Sequence, residues 1–404
     1  MRNYRVLLTV LCVVVLALPL AVSAQDEMIM GQDMMSACPS PSNLPETVNV
    51  GAIFALSGAA SVYGLSQQNA VNLAVQQIND AHYLGDATTL NVQFEDSTGA
   101  AEQAINAMTK LVEEDQVVAV IGPTLSSEAV AADPVAGDVG VPVLGVSNTA
   151  TGLRAALGDY YHRASLPESA VIPGTIAQAA AALSLQNVAV LYGSDDDFTL
   201  SGYDVFVQAL ADNNINIVDE QTFAKGDVDF NAQLTASLSQ NPDALVVSAL
   251  AAEAVQIINQ ARQQGYAGPI IGGNGFNSPA VLNQAGENAE GLIVGGAWNL
   301  GNPNPSESSV QFVEAFEAAY DTSPDQFAAQ AYTGTWLIAT ALRCGDSVEH
   351  AALNTAIGAI TDMETPLGTF SFDADGEPAH EPIAQIVVGG KFVPLASVMN
   401  AEAQ

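Results

Sequence analysis

Residues 119–129 read AVIGPTLSSEA, an aliphatic run that stops at Gly-Pro and opens onto Thr124, Ser126 and Ser127. Hydroxyls where a strand feeds a helix serve as N-caps, and the free amides and dipole of the same helix start attract a carboxylate. The pattern recurs at SNTAT, where Ser147, Thr149 and Thr151 follow another aliphatic run. Tyr63, Phe198, Leu250 and Phe276 stand just after further apolar runs as candidate walls, with Asn274 among them as a polar contact. Convergent hydroxyls and amides beside apolar walls describe a small-molecule cleft without a catalytic engine.

The residues that would supply catalysis are missing. The histidines, His82, His162, His350 and His380, form no HExxH or other metal spacing, and Cys38 and Cys344 are too few for a zinc site, so no metal is expected. There is no GxSxG, no GxxxxGK[ST] and no GxGxxG following a strand. GGNG at 272–275 reads as a tight turn, and Asp195, Asp196 and Asp197 lack the bidentate acid that would complete a calcium loop. They read as the acidic start of a helix. No nucleophile is paired with a base, so neither an enzyme nor a cofactor is expected.

Two series of elements must position the cleft. VNVGAIFAL (48–56) precedes a helical stretch near 66–80 that puts Val71, Ala74, Val75 and Ile78 on one face. TLNVQFED, a helix near 101–114, VVAVIG, a helix near 126–138 and PVLGVS complete a βαβ series. A second series starts near Pro167 and runs through NVAVLYG, INIVDEQTF, ALVVSAL, PIIGGN and EGLIVGGAW with helices between. Helices near 306–320, 326–343 and 349–361 follow, then GTFSFD and PIAQIVVGGKF, too little for a third lobe. The fold class is α/β, two doubly wound Rossmann-like lobes, and in such sheets ligands sit off the carboxyl ends of the strands.

With 404 residues, 49% hydrophobic and 13% charged, the chain can fill two such cores. Arg2 and Arg5 precede an apolar run from Val6 to Val22, and Val22-Ser23-Ala24 supplies small residues, so residues 1–24 read as a secretory signal. An uncleaved membrane anchor is the alternative; Pro19 and the small-residue site favour cleavage. Residues 25–46, aperiodic and rich in Met, Ser, Pro and acids, read as an extended linker. Cleavage leaves seven basic residues against 44 acidic ones, a net charge of −37 that excludes nucleic acid and anionic membrane surfaces as partners. In an exported protein the two remaining cysteines suggest one disulfide, although Met35-Ser36-Ala37-Cys38 also has a faint likeness to a lipid-attachment site.

These stretches, taken in order, resemble the periplasmic (type I) substrate-binding proteins of branched-chain amino acid ABC transporters. The likeness is carried by VGAIFALSGAASVYG (50–64), VVAVIGPTLSSEAVAADPVA, GVPVLGVSNTATGL, NVAVLYGSDDDFTLSGYDVF, AEAVQIINQARQQGY and IIGGNGFNSP, within residues 47–396. It implies two lobes joined by a three-strand hinge, lobe I comprising 47–166 and 298–372 and lobe II 167–297 and 373–396. Both Cys38 and Cys344 then fall beside lobe I, where they can pair. It further implies that Ser126 holds a ligand α-carboxylate, that Thr149 adds its hydroxyl and amide, and that the Ser147 carbonyl accepts from the ammonium. Tyr63 matches the aromatic of the first loop, and Phe198 an aromatic of lobe II.

Two positions depart from the family pattern. Leu250 replaces an aromatic, and Asn274 replaces the acid that pairs with the ligand ammonium, a loss of about 3 kcal/mol for a buried charge. Either Asp195 or Asp196 takes over that charge, or the ligand is not an α-amino acid. The implied function is an exported, monomeric solute receptor, periplasmic or extracellular, that delivers an aliphatic amino acid or similar carboxylate to a membrane ABC permease. The alternative is a sensor of the same fold for an amide, urea-like or aromatic acid ligand.

Overall fold

The computed structural model describes residues 30–402; the proposed signal at 1–24 lies outside them. After helix α1 (Gln32–Ala37), the first βα series comprises β1 (Thr47–Phe54), α2 (Ser61–Asp80), β2 (Thr89–Asp96), α3 (Ala101–Thr109), β3 (Val120–Ile121) and α4 (Ser126–Val139). It continues with β4 (Val143–Gly145), α5 (Leu153–Leu157) and β5 (Tyr161–Arg163). The five strands form a parallel sheet in the order β2-β1-β3-β4-β5. Alternation along β1 sends Val50, Ala52 and Phe54 into one core and Ile53 into another, so the sheet is covered on both faces.

The second series comprises α6 (Glu168–Leu183), β6 (Asn187–Gly193), α7 (Asp197–Asp212), β7 (Asn216–Phe223), α8 (Asn231–Ser239) and β8 (Ala244–Ser248). It goes on through α9 (Ala251–Gln263), β9 (Ile270–Gly272), α10 (Pro279–Ala285) and β10 (Leu292–Gly296). Next come α11 (Glu307–Tyr320), α12 (Gln326–Gly345), α13 (His350–Gly358), the hairpin β11 (Met363–Thr365) and β12 (Gly368–Phe370), then β13 (Ile383–Val388), β14 (Lys391–Pro394) and α14 (Leu395–Glu402). The second sheet runs β14-β13-β10-β9-β8-β6-β7, its last two strands in sequence being antiparallel. The three helices α11–α13 return to the first lobe, where Phe312, Trp336 and Leu353 share a core with Val50 and Phe54.

Three segments, 164–167, 297–306 and 371–382, therefore pass between the lobes. The third stays with the first sheet longer than the expected boundary at 372, because Glu377 forms a two-pronged ion pair with Arg163 at the end of β5, at 2.6 and 2.7 Å.

A second correction concerns residues 25–46, which are not uniformly extended. From Met30 on they form a strap against α12: Met30 is buried, Arg343 donates from Nε to the Cys38 carbonyl at 2.9 Å, and Asp346 accepts the Ser42 and Asn43 amides at 2.8 Å. Cys38 and Cys344 are joined, their Cα atoms 5.0 Å apart. Intact mass is expected to rise by about 2 Da on reduction, with a lower melting temperature as the strap is freed. An unchanged mass would show free thiols or an acylated Cys38.

Candidate functional site

Both sheets point their carboxyl ends at the same interlobe gap. In the first lobe the loop after β1 is gripped closely by α2: a Cβ at Gly64 would stand 2.1 Å from the Ala55 carbonyl oxygen, so only glycine lets the helix start this near the strand end. That approach fixes Tyr63. β3 takes up only Val120–Ile121 of VVAVIG and stops at Gly122, which adopts φ 102° with room for no Cβ against the Ile53 carbonyl. Beyond it a buried ring orders two loops: Thr124 Oγ1 donates to Gln67 Oε1 at 2.7 Å, Gln67 Nε2 to Ser147 Oγ at 2.7 Å, and Ser147 Oγ to the Thr124 carbonyl at 2.6 Å.

Ser126 is the first residue of α4, not its cap. Leu125 takes the extended cap position and its amide donates to Glu128 Oε2 at 2.8 Å. Ser126 Oγ instead accepts the Ala150 amide at 3.2 Å, which leaves its own hydroxyl hydrogen available to a further acceptor. Ser127 donates across the gap to Asp196 Oδ2 at 2.9 Å.

The second lobe offers its helix starts to the same gap. Asp196 caps α7, accepting the Phe198 and Thr199 amides at 3.1 and 3.3 Å. Leu250 precedes α9 and a 3-10 turn spans Asn274–Phe276. Tyr63 crosses from the first lobe: its hydroxyl donates to the Gly275 carbonyl and accepts the Ala251 amide, both at 2.7 Å, while its ring packs 4.5 Å from Phe327. Lys225 reaches back to the Gly99 carbonyl at 3.0 Å.

The gap enclosed is lined by Tyr63, Ser126, Ser147, Phe198, Leu250 and Asn274, together with Thr124, Leu125, Gly275 and Phe327, and it holds about 20 Å³. That is room for about one water, so a solute enters only as the lobes part. Two expected contacts lie outside the lining. Thr149 sits one layer behind, its hydroxyl donating to Glu168 Oε1 at 3.1 Å. Phe276 is a core residue, fully buried against Gly272, where a Cβ would come within 2.4 Å of its ring. Asn274 Oδ1 accepts from Gln326 Nε2, and Gln326 Oε1 in turn accepts from Asn277 at 2.5 Å.

Neither acid suggested as a substitute charge lines the gap. Asp195 accepts the Lys225 amide at 2.8 Å, and Asp196 is committed to its cap and Ser127. A larger groove of about 630 Å³ between α6 and α7 is walled by exposed Ser169, Pro173, Asp204 and Gln208 and gathers no buried polar cluster.

Residues 47–391 match the periplasmic binding protein family. The chain belongs to that family. The leucine-specific-binding protein of Salmonella typhimurium is 24% identical over 340 residues, covering 83% of this chain and 89% of the relative. A Streptococcus pneumoniae branched-chain amino acid transporter substrate-binding protein, solved with isoleucine, superposes with a TM-score of 0.79 at 30% identity, covering 86% of this chain and 97% of the other. A Rhodopseudomonas palustris solute-binding protein of an ABC transporter, solved with benzoate, gives 0.79 at 23% over 86% and 95% of the two chains. The fold is that of type I periplasmic binding proteins, and the protein is a binder of small molecules rather than an enzyme.

Several titratable side chains of both lobes are buried. Burial pushes Glu168 up to about 7 and Asp325 up to about 6, and raises Glu128, Asp133 and Glu253 as well. Burial holds His162 and His380 down at about 4. The raised carboxyls bind protons more tightly folded than unfolded, so their stabilisation is full at low pH and is lost as pH rises through 6 to 7; the histidines act oppositely below about pH 6.5. Melting temperature at fixed ionic strength is thus expected to be higher at about pH 6 than at about pH 8. A flat or rising profile over that interval would contradict this arrangement.

Proposed function

We propose that this periplasmic binding protein is the extracytoplasmic component of an ABC importer and closes as a monomer around a small carboxylate-bearing solute, an aliphatic amino acid. The observation that carries the reading is the Ser126 hydroxyl at the start of α4, buried at the interlobe gap with its hydrogen uncommitted. A carboxylate placed there meets a charge-assisted donor, the first-turn amides and the positive end of the helix. Tyr63, Phe198, Leu250 and Phe327 supply apolar walls for an aliphatic side chain, and Ser147 lies beside them to offer its carbonyl. The isoleucine bound in the pneumococcal relative supports the same choice. A solute bonded to both lobes favours closure because only the closed state offers both sets of contacts. Closure would present the receptor to a membrane permease, and the segment 1–24 is the export signal this role requires.

An aromatic acid, delivered or sensed, is the second reading; the uncharged Asn274 and the benzoate complex of the Rhodopseudomonas relative favour it. Thermal-shift screening of the mature protein against leucine, isoleucine, valine, benzoate and uncharged amides separates the two. Stabilisation by the aliphatic amino acids is the expected result. Stabilisation by benzoate or an amide alone would overturn it.

A further inference from the structure

The polar side chains that line the gap are Tyr63, Thr124, Ser126, Ser147 and Asn274. Most of their hydrogens are spent on the protein itself: Tyr63 donates to the Gly275 carbonyl, Thr124 to Gln67 and Ser147 to the Thr124 carbonyl. Two donors are left over among the described residues, the Ser126 hydroxyl of the first lobe and the Asn274 side chain of the second. Which end of the Asn274 amide is left over is decided by Gln326, the first residue of α12 and 1% exposed. The Ala297 backbone amide lies 3.0 Å from one end of the Gln326 side chain, and a backbone N–H only donates, so that end is Oε1 and the other is Nε2. Nε2 likewise only donates, so the Asn274 atom against it is Oδ1. Asn277 Nδ2 donates to the same Oε1 at 2.5 Å, and Gly296 leaves this relay its space, since a Cβ there would stand 2.2 Å from that nitrogen. With its oxygen held, Asn274 has only its NH2 group to offer, and Nδ2 donates to none of the described residues.

We propose that Asn274, turned by Gln326, is the second lobe's donor to the carboxylate of the solute, so that Ser126 and Asn274 clamp one carboxylate from opposite lobes. This rests on the carboxylate reading above and holds for an aliphatic or an aromatic acid alike. A gap with room for about one water brings its opposite walls within the span of a single small group. A carboxylate offers two oxygens that only accept, and the two unspent groups offer hydrogens. An ammonium at Asn274 would meet the hydrogens of the amide, so the position that carries an acid in the family pattern reads the other end of the solute here. Gln326 is the positioning residue: it does not line the gap, and it fixes which end of Asn274 does. Because one group is bonded by both lobes only when they are shut, the carboxylate by itself favours closure.

The test is calorimetric titration of the wild type and Asn274→Asp with two pairs of probes that differ only in carboxylate against carboxamide: leucine and leucinamide, benzoate and benzamide. Aspartate keeps the acceptor for Gln326 and puts an oxygen where the NH2 group stood. Expected is a rise in Kd of about ten- to a hundredfold for the carboxylates that the wild type binds, with their amides bound equally or more tightly. Leucine bound by Asn274→Asp as tightly as by the wild type, or more tightly, overturns the clamp, since an acid there would then be serving the ammonium. Ser126→Ala keeps the two readings apart. If it weakens the carboxylates while Asn274→Asp does not, the clamp falls and the carboxylate reading stands; if it spares them, the carboxylate reading itself falls.

Should Asn274→Asp not fold, Gln326→Glu reads the relay from outside the gap. At about pH 8 the new carboxylate is ionised, with the Ala297 amide and Asn277 Nδ2 already donating to that side chain. It draws the Asn274 NH2 towards itself, and the amide turns its oxygen to the gap. The ratio of carboxylate to carboxamide affinity is then expected to fall by about tenfold or more, whereas general damage to the site would weaken both members of a pair together. An unchanged ratio overturns the role of Gln326 and, with it, the assignment of Asn274 as a donor.

Discussion

Replacing Arg163 by methionine is expected to lower folding stability by about 3 kcal/mol. The guanidinium is 1% exposed and makes four hydrogen bonds: two to Glu377 at 2.6 and 2.7 Å, one to the Asn148 carbonyl at 3.0 Å and one to the Ala150 carbonyl at 2.8 Å. Methionine has the length and flexibility to fill the channel, so little of the loss comes from a cavity. What it lacks is any donor. Two loop carbonyls and a carboxylate are then left unanswered, and because Glu377 keeps 21% of its side chain exposed, water recovers part of the cost. Lysine would keep the charge but not the fork, and should fall between the two. Urea unfolding reads the effect as a lower midpoint at unchanged slope. A loss below about 1 kcal/mol would mean that the pair is no more than a surface contact.

The same residue shows where the sequence is silent. Strands and helices of both lobes are legible as aliphatic runs and helical periods, and the expected helix near 126–138 is α4 almost to the residue. Ser126 is legible as a helix start, but an N-cap and a first-turn residue look alike in sequence; only the extended Leu125 tells them apart. Glu168 reads as an ordinary acid favouring a helix dipole, because burial by a loop a hundred residues away leaves no local mark. Gln67 hides in the same way on α2, a polar residue buried to brace Thr124 and Ser147. The strap from Met30 is illegible for a third reason: its anchors, Arg343, Cys344 and Asp346, lie about three hundred residues downstream. Helix α10 is different, since Ser278 as cap and Pro279 in the first turn are a written signal that a seven-residue helix makes easy to overlook.

The combined change Ser126→Ala and Thr149→Ala is expected to abolish stabilisation by any carboxylate solute. At a concentration of about 100 times Kd, a ligand that binds only the folded protein adds about 2.7 kcal/mol to stability. A charge-assisted hydrogen bond to a carboxylate is worth about 1.5–3 kcal/mol, so losing the Ser126 bond raises Kd by about ten- to a hundredfold and removes half or more of that gain at the same concentration; Thr149, one layer behind, adds the loss of the loop order it braces. The variant also starts from a lower baseline. Without Ser126 Oγ the Ala150 amide is unpaired, and without Thr149 Oγ1 the buried Glu168 loses its one side-chain donor. The difference between free and liganded protein is therefore the quantity to compare, not the melting temperature itself. The two effects should not simply add, because both side chains brace the same 148–150 loop, and removing one loosens the contact made by the other. Thr149→Val separates the contributions: it fills the same space, keeps the backbone amide and loses only the hydroxyl. An undiminished shift in the double variant would place the carboxylate away from the start of α4, and with it the solute.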